Sequence, residues 1–185
     1  NPLTTPDSEF FHFSIPAYDE GQLPKHECGE TIKSIKYCVP SSAVLLSKLN
    51  PEIDRVWLPQ IKDTAQAICS TEFLVLLAIP PFTRSFIYCL ARSEGFRTEL
   101  QSLVTGTSKS HQRAQPEAVL SLQMVLPDAL LLATFDRIIS PFLEETQRGK
   151  QESQNLASLR DTLLPKLISG EIDVQNLTLL IKEES

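Results

Sequence analysis

Leu159-Arg160-Asp161-Thr162-Leu163-Leu164-Pro165-Lys166-Leu167-Ile168-Ser169-Gly170-Glu171-Ile172 closes the last regular segment of this 185-residue chain. Leu159, Leu163 and Leu167 recur at four-residue spacing, which predicts the apolar edge of a helix, with Pro165 ending it and Gly170 turning the chain. Upstream, the helical pattern runs back to Asp128, which can serve as N-cap, and is broken only by Pro141. Leu132, Phe135, Ile139, Phe142, Thr146, Gly149, Ser153 and Leu156 alternate spacings of three and four. That is a heptad seam, apolar at both ends and weak in its middle. A helix over 128–164 would be roughly 55 Å long at 1.5 Å per residue. Such a rod calls for a partner helix along Leu132, Phe135, Ile139, Phe142, Leu156, Leu159 and Leu163; the alternative is that it folds back on its own domain.

The segments before Asp128 read differently. Residues 1–30 mix aromatics with prolines, which predicts extended structure and loops. Short apolar runs at Ile32–Tyr37, Ala43–Leu49, Arg55–Leu58, Gln66–Cys69 and Phe73–Leu77 read as strands. Between 82 and 103 the period becomes helical, with a break expected at Gly95, and Ala118–Leu126 returns to alternation. The expected fold is α+β: a mixed-sheet domain over 1–127, a long helix over 128–168 and a tail over 169–185.

Composition narrows the function classes. No apolar run approaches the roughly 18 residues of a membrane span, and no signal-peptide pattern opens the chain, so a cytoplasmic protein is expected. Cys28, Cys38, Cys69 and Cys89 lack paired spacing and are expected as reduced thiols rather than metal ligands. The chain starts Asn1-Pro2 and its one methionine is Met124, so it is expected to be a piece of a longer polypeptide. Net charge is −6, but it is uneven: residues 128–185 hold 6 basic and 10 acidic side chains, residues 1–127 hold 11 and 13.

Two local stretches favour phosphate contact over the total. Lys33, Lys36, Lys48, Arg55 and Lys62 face only Glu52 and Asp54 within 31–62, and Thr105–Arg113 carries Lys109, His111 and Arg113 with no acid. Gln112 can pair with adenine and Arg113 with guanine in the major groove, while Ser34, Thr105, Thr107 and Ser108 suit phosphates and Asn50 offers an amide beside Lys48. The candidate DNA-binding set is Lys33, Ser34, Lys36, Lys48, Asn50, Arg55, Thr105, Thr107, Ser108, Lys109, His111, Gln112 and Arg113. A solvated turn is the other reading of each. Walker-type loops, dinucleotide-binding glycines, H-E-x-x-H and nucleophile elbows are missing, so no catalysis is expected. A small hydrolase using Cys69 (with His111) or Ser70, and a pure protein-interaction module, remain as alternatives.

As letters, Leu159–Ile172 closely resembles the C-terminal conserved region of type I restriction–modification specificity subunits. Ile15–Gln22 followed by Ile32-Lys33-Ser34 resembles the entry of one class of their target recognition domains. Leu46–Pro51, Arg55-Val56-Trp57, Cys69–Phe73, Thr105–Ser108 and Gln112-Arg113 are similar to the same class. The resemblance implies one recognition domain and the distal conserved helix of a two-domain subunit, or a natural half-subunit that dimerises. It implies double-stranded DNA as ligand, read as one half of a bipartite site. It also implies methyltransferase subunits, a restriction subunit and a second recognition half, or a second copy through the long helix, as partners. S-adenosylmethionine would belong to the methyltransferase, and this chain would hold no cofactor, metal or membrane contact.

Overall fold

The computed structural model describes residues 1–61, 66–105 and 112–172, with the backbone alone at Thr105. Two compact units divide the chain, Asn1–Leu143 and Glu144–Ser185. The first is α+β, as expected. In chain order it contains β1 (Glu9–Phe13), α1 (Ile15–Gly21), β2 (Lys25–Cys28), β3 (Lys36–Cys38), β4 (Ala43–Ser47), β5 (Val56–Trp57), β6 (Ala67–Ser70) and β7 (Phe73–Leu77). Then follow α2 (Arg84–Arg92), α3 (Glu94–Ser102), β8 (Val104–Thr105), β9 (Arg113–Ala114), α4 (Pro116–Leu120) and the start of α5 (Ala129–Ile168).

The strands form a mixed sheet in the order β2-β1-β6-β3 and an antiparallel sheet in the order β5-β4-β7. In the mixed sheet, β1 runs parallel to β6, and β2 and β3 pair antiparallel on the two edges. All five residues of β4 are buried, which is why it reads as a continuous apolar run rather than an alternation. Successive side chains of a strand point to opposite faces. Ala43 and Leu45 therefore enter one core with Phe13, Tyr18, Trp57 and Phe73, while Val44 and Leu46 enter a second with Tyr88, Phe96 and Leu100. The antiparallel sheet is thus the middle layer, between the mixed sheet and the helices.

Several expected boundaries move, each for a local reason. Residues 1–30 are not all extended: Ser14 Oγ accepts from the Ala17 amide, Pro16 sits in the first turn, and α1 forms before Gln22 ends it in the left-handed region. Ile32–Tyr37 is a strand only from Lys36, because a 3-10 turn at Gly29–Thr31 precedes it and Ile32 is buried as an anchor. The helical break lies at Ser93 rather than Gly95. Ser93 Oγ donates to the Leu90 carbonyl and accepts from the Phe96 amide, ending α2 and starting α3 with one hydroxyl. Within Ala118–Leu126, the stretch to Leu120 belongs to α4 and the remainder forms no strand.

Asp128 does cap α5, its Oδ1 accepting from the Leu131 amide at 2.8 Å. The helix continues through Pro141 and Pro165 to Ile168, so Pro165 does not end it. A proline removes one amide donor, and the Pro165 carbonyl still accepts from Ser169 at 2.9 Å. The turn comes at Gly170, whose φ is +75°.

The expected seam divides. Leu132 is buried, Phe135 meets Phe86 edge-on at 6.0 Å, Ser140 Oγ bonds Ser85 Oγ at 2.7 Å, and Leu143 packs on the second core. Leu132 is thus covered within its own unit, and Phe135 has an aromatic neighbour on α2. Ile139 is half-buried and Phe142 exposed. In the second unit Leu156, Leu159 and Leu163 are 59%, 53% and 36% exposed.

Candidate nucleic-acid interface

The turn after β4 meets the β8–β9 pairing, the two described ends of the polar stretch 105–113. Ser47 is buried, and its Oγ donates to the Leu49 carbonyl at 2.9 Å, which turns the chain out of the strand. Asn50 takes a left-handed backbone with φ +48°, a conformation its short polar side chain tolerates. Three backbone links then tie this turn to the loop stem. Asn50 N donates to Gln112 O at 2.9 Å, Ala114 N donates to Lys48 O at 3.0 Å, and Leu49 bridges Arg113. The stem itself is the β8–β9 hairpin, with Val104 opposite Ala114 and Thr105 opposite Arg113.

A residue outside the candidate set completes the platform. Glu72, in the β6–β7 turn, accepts from Lys48 N through its carbonyl at 3.0 Å and donates its amide to Ser70 Oγ at 3.2 Å. Its carboxylate takes Nε and Nη2 of Arg113, both at 3.0 Å. The pair raises the already high pKa of Arg113, so this arginine stays charged throughout the working pH range.

Of the predicted residues, Lys48, Asn50, Gln112, Arg113 and the backbone of Thr105 come together here. Thr107, Ser108, Lys109 and His111 lie outside the described residues. Lys33 and Ser34 are exposed before β3, and Lys36 lies on that edge strand, its Nζ bonded to Ser34 Oγ. Partial burial lowers the Lys36 pKa. The register sets Lys36 opposite Ser70, two residues from Glu72, at the same end of the sheet.

Arg55 stands apart from this group: its Nε and Nη2 pair with Asp19 and the residue is buried, so it anchors the turn before β5. Counting charges in the sequence registers the cation but not its partner. Two arginines the sequence did not single out hold the same turn. Arg97 Nη2 donates to the Glu52 carbonyl at 3.0 Å, and Arg97 and Arg92 both pair with Asp54. Their signal was hidden because the helical reading of 82–103 follows apolar positions only.

The thiol of the hydrolase alternative is poorly placed for attack. Cys69 is fully buried on β6, and burial pushes its thiol up to about 12, so it is not ionised near neutrality. Ser70 Oγ is engaged with the Glu72 amide. What remains is the β8–β9 pairing fixed from two sides, with Lys48, Gln112 and Arg113 beside it. Among the described residues, no helix is long and apolar enough to cross a membrane.

No family model matches the chain. Over 92 residues, 50% of this chain and 20% of the relative, it is 29% identical to the type I restriction enzyme MjaIX specificity subunit of Methanocaldococcus jannaschii. Its fold matches a chain in a structure describing complex assembly and conformational transition of the type I restriction–modification system, with a TM-score of 0.61 and 22% identity. That match covers 90% of this chain and 45% of the other, so the chain spans less than half the length of each of these two proteins. The resemblance to type I specificity subunits read from the sequence is therefore present in a curated relative, and the fold agrees with it.

Proposed function

We propose that this chain is the DNA-recognition part of a type I specificity subunit: one target recognition domain with its adjoining conserved helix. It reads one half of a bipartite duplex site and directs methyltransferase and restriction subunits there, in the cytoplasm beside the chromosome. The observation that carries this reading is the described meeting of Lys48, Asn50, Gln112 and Arg113 beside the β8–β9 pairing, at the two ends of a sequence stretch, 105–113, that is rich in short donors and contains no acid. Small hydroxyls and backbone amides suit phosphates, and longer side chains reach base edges. The chain catalyses nothing in this reading and holds no cofactor; S-adenosylmethionine belongs to the methyltransferase subunit. The exposed leucines Leu156, Leu159 and Leu163 would meet a second recognition half or a second copy.

The test is a graft of residues 1–143 into a working specificity subunit in place of its matching domain, with modified bases mapped by sequencing. One altered half-site beside one retained half-site is expected. An assembled complex that modifies nothing new places the DNA reading elsewhere and leaves a protein-interaction module.

A further inference from the structure

Strands β2 and β3 follow one another in the chain but lie on opposite edges of the mixed sheet, with β1 and β6 between them. Cys28 ends β2 beside Glu9, at the start of β1, whereas Lys36 opens β3 beside Ser70, at the far end of β6. Residues 29–35 therefore cross the sheet diagonally, over one face. Phe13, Ala67 and Cys69 give one face to the first core. His12, Ile68 and Cys38 share a row and, by strand alternation, point to the other. The connection takes this outer face as a strap. It starts at Gly29, which has no room for a side chain beside the Pro2 and Thr5 carbonyls and the Phe10 ring. Ile32, in mid-crossing, is 4% exposed, and Ile68, on the face being crossed, is 5% exposed.

What the strap turns outward is basic. Lys33, Ser34 and Ile35 are exposed, Ile35 by 67%, and Lys36 follows half-buried, its Nζ bonded to Ser34 Oγ. From Thr31 to Pro51 the sequence carries Lys33, Lys36 and Lys48 and no acidic residue. None of the ion pairs among the described residues uses any of these three lysines. The β6–β7 turn joins them at one end of the two sheets: Ser70 lies opposite Lys36, and the Glu72 carbonyl accepts from Lys48 N. We propose that the strap is a second duplex-contacting arm of this domain. Lys33, Ser34 and Lys36 hold backbone phosphates, and Ile35 lies against apolar base or sugar surface in the groove between them. This rests on the DNA-reading function proposed above, and it needs no contact from residues 106–111.

The chemistry separates the roles. An ammonium on a phosphate displaces a counterion and carries no sequence information. An aliphatic side chain has no part in that exchange, but it can meet a thymine methyl or wedge between base steps. A single exposed isoleucine needs no explanation by itself. Ile35 differs in standing between two lysines, on a segment that buried Ile32 anchors from below. Lysines also suit an acidic protein surface. A duplex fits better because the cations run along the end of the sheets toward Gln112 and Arg113.

The experiment uses the full chain in four forms: wild type, Lys33→Gln with Lys36→Gln, Ile35→Ser, and Lys25→Gln as a control on the opposite edge strand. Duplex binding is titrated between about 50 and 200 mM salt, and selection from a random-sequence duplex pool reports preference. The double lysine variant lowers the log–log salt slope by about 2 and weakens all duplexes alike. Lys25→Gln leaves the slope unchanged. Ile35→Ser keeps the wild-type slope, while enrichment of the preferred sequence falls about five- to tenfold. An unchanged slope in the double variant overturns the proposal and leaves the arm to an acidic protein surface. An equal loss per lysine in Lys25→Gln overturns it too, because net charge alone then explains the effect. A preference untouched by Ile35→Ser overturns the assignment of Ile35. A wild-type chain whose binding ignores salt sinks the DNA-reading function itself, and the arm with it.

Discussion

Arg55 and Asp19 form a two-armed ion pair, with Nε and Nη2 each donating to one carboxylate oxygen at 2.8 Å. The arginine side chain is 9% exposed and the aspartate 46%, so the pair bridges from solvent into the protein and ties α1 to the turn before β5. Arg55→Ala leaves the carboxylate without its partner and opens a gap beside the core. The expected loss is about 1–3 kcal/mol, seen as a lower thermal midpoint. Duplex binding by the folded fraction stays the same. A variant of parental stability that binds duplex several-fold more weakly would restore Arg55 to the DNA-contacting set.

His12 makes stability depend on pH. Burial lowers its pKa below the ordinary 6.5, and this outweighs the raising effect of the bonded Glu27 carboxylate; nearby Lys36 lowers it further. Its Nε2 is buried without a hydrogen-bond partner among the described residues. The unfolded chain therefore binds a proton more readily than the folded one below about pH 6.5. The stability is fully present above that pH and declines as the pH falls toward the folded His12 value. Thermal midpoints measured from pH 7.5 down to 5 should fall, and His12→Gln should flatten that fall.

Trp57 carries the first core. It is 2% exposed and meets Phe13, Tyr18 and Phe73 edge-on, with ring centroids 4.8, 5.5 and 6.2 Å away. Trp57→Ala removes three aromatic contacts and leaves a cavity between the sheets. The expected cost is about 3–5 kcal/mol, enough to unfold much of a marginally stable domain. Chemical denaturation followed by circular dichroism measures it; a loss under 1 kcal/mol would mean the two sheets do not depend on this ring.

The two ends of α5 should respond differently to substitution. Leu132→Ala acts inside a packed core and should cost about 2–5 kcal/mol. Replacing Leu156, Leu159 and Leu163 together with glutamine should leave the melting of the first unit almost unchanged, because these side chains are exposed. It should abolish self-association measured by light scattering. Undiminished association in the triple variant would assign the contact to another surface.

How much of this was legible follows the range of each signal. Strand β7 is read over the same residues the structure shows, Phe73–Leu77, because a run of apolar residues between turn formers is a local feature. Helix α1 escapes periodicity, since its seven residues complete barely two turns and its evidence is a cap and a proline. Pro165 reads as a stop because the lost donor is visible in the sequence, whereas the intact hydrogen bonds around it are not. Glu72 is the clearest omission. It lies within the Cys69–Phe73 stretch that carries the resemblance, but a lone acid there gives no sign of its partner Arg113, 41 residues away. The contact of Phe135 with Phe86 on α2 was likewise non-local: the heptad spacing shows that a face is apolar but not what covers it.

The central pairing of β1 with β6 has a consequence during synthesis. Phe11 and Phe13 lie beside Ala67 and Cys69 in a parallel ladder, so the N-terminal strand can complete its sheet only after roughly 55 more residues exist. At about 5–20 residues per second, that leaves roughly 3–11 s in which a phenylalanine-rich strand is exposed at the ribosome with only the short β2 hairpin to cover it. The nascent chain is most open to chaperone capture, or to pairing with a neighbour, in that interval.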